Sequence, residues 1–114
     1  MLTIYHNPRC SKSREALALL EQLATPFQVV NYLTQPLEEP ALRQLLTQLG
    51  LTAQQLIRTK ETEYTALGLD ATETSEEGFI AALLQYPKLI ERPIVVHQGK
   101  AVIARPAARV MELF

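Results

Sequence analysis

The stretch His6-Asn7-Pro8-Arg9-Cys10-Ser11-Lys12-Ser13-Arg14 holds the one cysteine of the chain among two serine hydroxyls, an imidazole and three cations. A thiol in that company reads in two ways. Most free cysteines are small buried hydrophobes, yet Asn7, Arg9, Ser11, Lys12, Ser13 and Arg14 make a poor lining for a core position. Cationic neighbours lower a thiol's pKa, and the thiolate is the nucleophilic form; the second reading of Cys10 is therefore a reactive thiolate. Position 13, where the second thiol of a C-x-x-C pair would fall, is Ser13. Self-contained disulfide exchange is thus excluded, and any redox cycle borrows its second thiol from glutathione or from another protein.

The composition limits what surrounds that thiol. At 114 residues the chain has the length of one ordinary domain, and it can bury a core without disulfide or metal staples. A net charge of -1 supplies no global field for nucleic acid or an anionic membrane, so any anion site must be local. No apolar run approaches the roughly 20 residues of a membrane span, and the first residues lack the basic and apolar regions of a signal peptide. These features predict a cytoplasmic protein that binds neither membrane nor nucleic acid. Two histidines with no cysteine or carboxylate cluster around them make a poor zinc set, so no metal is expected.

The elements that would position Cys10 follow from hydrophobic period and turn chemistry. "LTIY" (2–5) alternates before the turn-prone "HNPR", and from Ser11 the residues Ala16, Leu17, Leu20, Leu23 and Ala24 recur at helical spacing. "FQVVNYL" from Phe27 reads as a second strand, completing a βαβ unit with a parallel pair. The middle is helical. One helix opens at Pro40, carries Ala41, Leu42, Leu45, Leu46 and Leu49 inward and stops at Gly50; another starts at Thr52. A third has Ser75 as cap, Phe79, Ile80, Leu83 and Leu84 as its buried face, and Pro87 as its stop. "PIVV" and "AVIA" then flank "HQGK", a hairpin that puts His97 in its turn without assigned chemistry. Pro106 opens a last helix with Val110, Met111 and Phe114 facing inward.

The order β-α-β, helices, β-β-α predicts an α/β fold of thioredoxin-like type, one domain over 1–114 with a helical insertion at about 38–88 in its mixed sheet. Cys10 then sits where a strand's carboxyl end turns into a helix. Unpaired N–H groups and the positive end of the helix dipole stabilise a thiolate there and attract oxyanions.

At this point the residues resemble a known family. "YHNPRCSKSR" (5–14), "LIRTKETEYTALGL" (56–69), "YPKLIERPIVV" (86–96) and "ARPAARVMEL" (104–113) together are similar to the glutaredoxin-dependent arsenate reductases of the thioredoxin-like superfamily. The four segments match in order and span essentially the whole chain. The chain stops soon after the last of them, whereas longer members continue into a C-terminal tail. The resemblance implies Cys10 as nucleophile, His6 as a neighbour of the thiol, and Ser13 as a hydroxyl able to hydrogen-bond the sulfur. It also implies that Arg58, Arg92 and Arg105 surround an oxyanion. Charge explains the arginines: a thiolate attacking an arsenate dianion brings negative onto negative, which permanently charged, multi-donor guanidinium groups offset.

Taken singly, each arginine also reads as a solvated surface charge. Context separates them. Arg92 precedes Pro93 at the start of a strand, where thioredoxin-like folds place a cis-proline loop facing the thiol; cis bonds are essentially confined to X-Pro. Arg105 precedes Pro106 at a strand's end, where sites of open α/β sheets gather. Arg58 could equally decorate a short helix, and Arg14 and Lys12, near the first helical turn, are as readily solubilising charges as anion contacts. The activity implied is reduction of arsenate to arsenite through a Cys10–arsenic adduct, with glutathione as co-substrate, glutaredoxin as partner and no bound cofactor. Two other classes remain open: a non-catalytic adaptor of the related transcription-regulator branch, and a glutathione-dependent monothiol oxidoreductase acting on disulfides.

Overall fold

A computed structural model of the chain describes residues 2–23, 25–58, 61–69, 73–91 and 93–114. The chain divides into two compact units, one of residues 1–35 with 92–114 and one of residues 36–91.

The first unit is built on a four-stranded sheet. Strands β1 (Leu2–His6), β2 (Phe27–Asn31), β3 (Ile94–His97) and β4 (Lys100–Ile103) lie in the order β2-β1-β3-β4. β1 pairs parallel to β2 and antiparallel to β3, and β3 pairs antiparallel to β4. This is the mixed, thioredoxin-like sheet that the sequence predicts. Two sign changes make β4 run parallel to β1, so the carboxyl ends of β1, β2 and β4 share one end of the sheet.

Helix α1 (Ser11–Gln22) buries Ala16 and Leu20 against Leu2, Ile4, Val95 and Val102 of the strands. The β3–β4 hairpin turns through Gln98 at φ 51° and Gly99 at φ 81°, the paired left-handed conformation that suits the right-handed twist of the flanking strands. The peptide joining Arg105 to Pro106 is cis.

Three expectations need correction here. β2 ends at Asn31 rather than running on through Tyr32 and Leu33. The Asn31 side chain accepts from the Leu33 N–H at 3.1 Å, and its carbonyl accepts from Thr34 and Gln35, so a local turn competes with the ladder and wins. The last element is a 3₁₀ helix, Ala107–Leu113, not an α-helix. With three residues per turn, positions 107, 110 and 113 stack on one face; Val110 and Leu113 are buried, while Met111 and Phe114, expected inside, are 52% and 56% exposed. His97 closes β3 opposite Lys100 instead of sitting in the turn, and its half-buried ring lies 4.9 Å from that of Phe114.

The second unit is helical. α2 (Glu39–Leu49) starts with Pro40 in its first turn and ends at Gly50, whose φ of 69° places it in the left-handed cap conformation. Its buried line is Leu42, Leu45 and Leu46; Ala41 is exposed, contrary to expectation. α3 (Ala53–Leu56) has only four residues, yet Thr52 and Gln55 cap it reciprocally. It is further fixed by Glu76, whose carboxylate accepts from the Ala53 N–H at 2.9 Å. After α4 (Thr62–Ala66), α5 (Glu76–Gln85) is capped by Ser75, whose Oγ accepts from Gly78 at 3.1 Å, and it buries Phe79, Ile80, Ala82 and Leu83. Pro87 then stops it and opens a 3₁₀ turn, Pro87–Leu89. Among the described residues, no helix is long and apolar enough to cross a membrane.

Candidate active site

β1 delivers His6 and Asn7 to the carboxyl end of the sheet, and the chain reaches Cys10 within one turn. The Cys10 N–H donates to the Asn7 carbonyl at 3.0 Å, and the Cys10 carbonyl accepts from Arg14 at 3.0 Å as the first bond of α1. Cys10 is therefore the N-cap of a twelve-residue helix, with φ −95° and ψ 123°, and its side chain makes no capping bond to the first-turn amides. No acidic residue stands in that first turn, so the positive end of the helix is not offset from within α1. The half-buried thiol thus has the setting that favours an anion at sulfur.

Behind it lies a closed polar lattice. Ser13 is fully buried at 0% exposure. Its Oγ accepts from the Asn7 N–H at 3.0 Å and lies 2.7 Å from His6 Nδ1. Asn7 Oδ1 accepts from the Arg9 N–H at 2.9 Å, a turn that fixes the approach to Cys10. Arg14 folds back and donates from Nη1 to the Pro8 carbonyl at 3.0 Å. It clasps the loop. Lys12 pairs loosely with Glu15 at 3.7 Å, and both are exposed.

Burial lowers the pKa of His6 below its ordinary 6.5, the nearby Arg14 charge lowers it further, and the Ser13 contact opposes both. The imidazole is accordingly neutral at physiological pH. Below pH 6.5 the unfolded chain takes up a proton at His6 that the folded chain resists. Stability should therefore fall as pH drops from 6.5 toward the depressed native value, and rise with pH through that window, by at most about 1.4 kcal/mol per pH unit. Urea unfolding at about pH 7 and about pH 5.5 measures this slope. His6→Asn, which keeps a polar group near Ser13 but does not titrate, should lose the His6 share of it.

Arg105 follows β4, and since β4 runs parallel to β1, Arg105 and Cys10 come to the same end of the sheet. The Arg105 N–H donates to the Ile103 carbonyl at 2.9 Å, and the residue is half-buried. Arg92, with the expected cis junction to Pro93, lies outside the described residues.

Arg58 belongs to the second unit. It does not decorate a helix: it stands just past α3, where the bridge between Ile57 and Ile90 ties two segments together. The Arg58 N–H donates to Leu89 at 2.7 Å, and the Glu91 N–H donates to Leu56 at 2.8 Å. Its side chain is 20% exposed, with Nε 3.8 Å from Glu61 and 3.9 Å from Glu91. Among the described residues its buried Nη1 has no hydrogen-bond partner. A buried guanidinium donor left unpaired is unfavourable.

Two features escaped the sequence reading. Asn7 organises the loop through both its backbone and its side chain, a role that the Asn-Pro-Arg turn signal could have suggested. The Glu91 carboxylate beside Arg58 carried no signal, because it reaches Arg58 from 33 positions away in the chain.

The family model of the ArsC family matches residues 5–113. The chain belongs to the ArsC family. Among its ArsC relatives, the arsenate reductase of Neisseria meningitidis is 42% identical over 106 residues, covering 92% of this chain and 91% of that protein. The uncharacterized protein YfgD of Escherichia coli is 50% identical over 111 residues, covering 96% and 93%. In structure, the chain is similar to the arsenate reductase of Vibrio cholerae, with a TM-score of 0.94 and 45% identity over 99% of this chain and 97% of that one.

Proposed function

We propose that this ArsC-family chain reduces arsenate to arsenite, with Cys10 as nucleophile and glutathione and glutaredoxin as the source of electrons. The observation that carries the reading is the placement of Cys10 as the uncapped N-cap of α1. Full-length similarity to proteins named arsenate reductase supports the substrate.

In this mechanism the Cys10 thiolate forms a sulfur–arsenic bond as one arsenic-bound oxygen leaves as water. Guanidinium donors from Arg58, Arg92 and Arg105 offset the negative charge that gathers on the oxyanion, and the first-turn amides of α1 add their partial charge. His6 and Ser13 hold the loop, and Arg14 clasps it through the Pro8 carbonyl. Glutathione then attacks the adduct. The two electrons that take arsenic(V) to arsenic(III) come from two thiols, which end as a disulfide that glutaredoxin and further glutathione reduce. No bound cofactor is required, and a cytoplasmic setting, where glutathione is reduced, fits this cycle.

The identity of the thiol donor is the most exposed part of the reading. Since the chain holds no second cysteine, Cys10 cannot resolve its own adduct. Without glutathione the protein should stop at no more than one adduct per Cys10, visible by intact-mass spectrometry. Arsenite production should require glutathione and reach full rate with glutaredoxin. Sustained production with thioredoxin as the sole thiol source would sink the mechanism and point to a resolving cysteine on a second protein.

A further inference from the structure

Four residues, Asn7 to Cys10, join β1 to α1, and all but Pro8 carry a backbone N–H. Every one of these donors is bonded through Asn7. Its own N–H donates to Ser13 Oγ at 3.0 Å, its side-chain Oδ1 accepts from the Arg9 N–H at 2.9 Å, and its carbonyl accepts from the Cys10 N–H at 3.0 Å. Asn7 is 5% exposed, so water competes little for these contacts. The ring of Pro8 fixes its φ, which leaves the torsions between Pro8 and Cys10 as the soft part of the loop. The Oδ1 contact closes over that part, and the next residue is Cys10, whose φ of −95° and ψ of 123° turn the chain from loop into helix.

We propose that Asn7 is a positioning residue for the nucleophile: its Oδ1, by holding the Arg9 amide, fixes the direction in which the Cys10 sulfur leaves the N-terminus of α1. The proposal rests on the reading of Cys10 as the nucleophile. Asn7 is neutral, so it does not act on the thiol by charge, as Arg9, Lys12 and Arg14 can. It acts through the backbone. At the N-cap a small rotation of the chain moves the sulfur on or off the line of the first-turn amides, whose field falls off within a turn. A displacement of about 1 Å near a reacting atom can cost about a hundredfold in rate. Without Oδ1 the Cys10 N–H keeps its bond to the Asn7 carbonyl, yet the Arg9 peptide between them is free to rotate. The sulfur then samples directions in which the helix amides stabilise the thiolate less and attack on arsenic is out of line.

The test compares the full chain carrying Asn7→Ala, which deletes the acceptor, with Asn7→Ser, which keeps a weaker one, each shown by circular dichroism to be folded at the assay temperature. In Asn7→Ala, kcat for arsenate should fall by about tenfold to a hundredfold. KM should stay within about twofold, because the guanidinium groups read as anion ligands stand on other segments. The pH inflection of Cys10 alkylation by iodoacetamide should move up by about half a unit to one unit. Asn7→Ser should recover part of both changes. A residue that merely stabilises the fold would lower the unfolding temperature and leave kcat and the alkylation profile of the folded protein as they are; that result overturns the proposal, as does a loss confined to KM. If Asn7→Ala does not fold, Asn7→Ser decides alone, with a fall in kcat of about twofold to tenfold expected and an unchanged kcat overturning the proposal. Cys10→Ser keeps the two layers apart. If it retains turnover, the reading of Cys10 falls and the role of Asn7 with it. If it is inactive while Asn7→Ala turns over like the wild type, only the positioning role is overturned.

Discussion

Cys10→Ser should reduce arsenate turnover by about 10⁴-fold or more and leave the fold intact. The loss is expected to be near complete because no other group in the chain can form the sulfur–arsenic bond: there is one cysteine, and a serine hydroxyl at the same N-cap position stays protonated at neutral pH. The fold should survive because serine keeps the two backbone bonds that Cys10 makes, its N–H to Asn7 and its carbonyl from Arg14. Serine is also a favoured N-cap, so the helix should if anything gain stability. Arsenite production and thermal unfolding, measured on the same preparation, check both halves. Turnover within tenfold of the wild type would remove Cys10 from the chemistry.

Ser13→Ala should act on stability instead, by about 2–3 kcal/mol. The Ser13 hydroxyl oxygen takes the Asn7 N–H at 3.0 Å and engages His6 Nδ1 at 2.7 Å in a position with 0% exposure. Removing it strands one buried donor and one buried imidazole nitrogen where water does not reach, at about 1–3 kcal/mol for each orphaned group. Alanine's better helix propensity returns only about 0.5 kcal/mol, so the orphaned groups win. Urea unfolding gives the number directly, and a loss below about 0.5 kcal/mol would show that the lattice relaxes around the missing oxygen.

Both substitutions fall in a stretch whose importance was legible from residue types alone. A lone thiol among cations between a strand pattern and a helical one predicts the strand–turn–helix that carries Cys10, and the parallel β1–β2 pair follows from the crossover between them. The alternation of "PIVV" and "AVIA" around Gly99 likewise predicts the hairpin. What sequence could not supply depends on local competition or distance. Tyr32 and Leu33 have strand-like side chains, but the Asn31 side chain and carbonyl captured the following amides. The final segment has helical composition, yet its choice of three residues per turn over 3.6 decided which of Met111, Leu113 and Phe114 is buried. Ser13 was legible as a hydroxyl near the thiol; its closure with His6 and Asn7 was not, since those partners are set by how β1 meets α1. The approach of Glu91 to Arg58 is further still from any sequence pattern, because it arrives through a bridge between distant segments.

The register of the sheet also has a consequence for how the molecule comes into being. Ile4 of the inner strand β1 pairs with Val95 of β3, about ninety residues later in the chain. During synthesis β1 has only β2 as a strand neighbour until β3 has emerged, and an isolated two-stranded pair is marginal in water. Closing so long a loop carries a conformational-entropy penalty before any contact rewards it. The residues 36–91 in between make many of their contacts with one another, so they can gain order while β1 waits. The strand end that leads to Cys10 is made well before the strand that completes its side of the sheet.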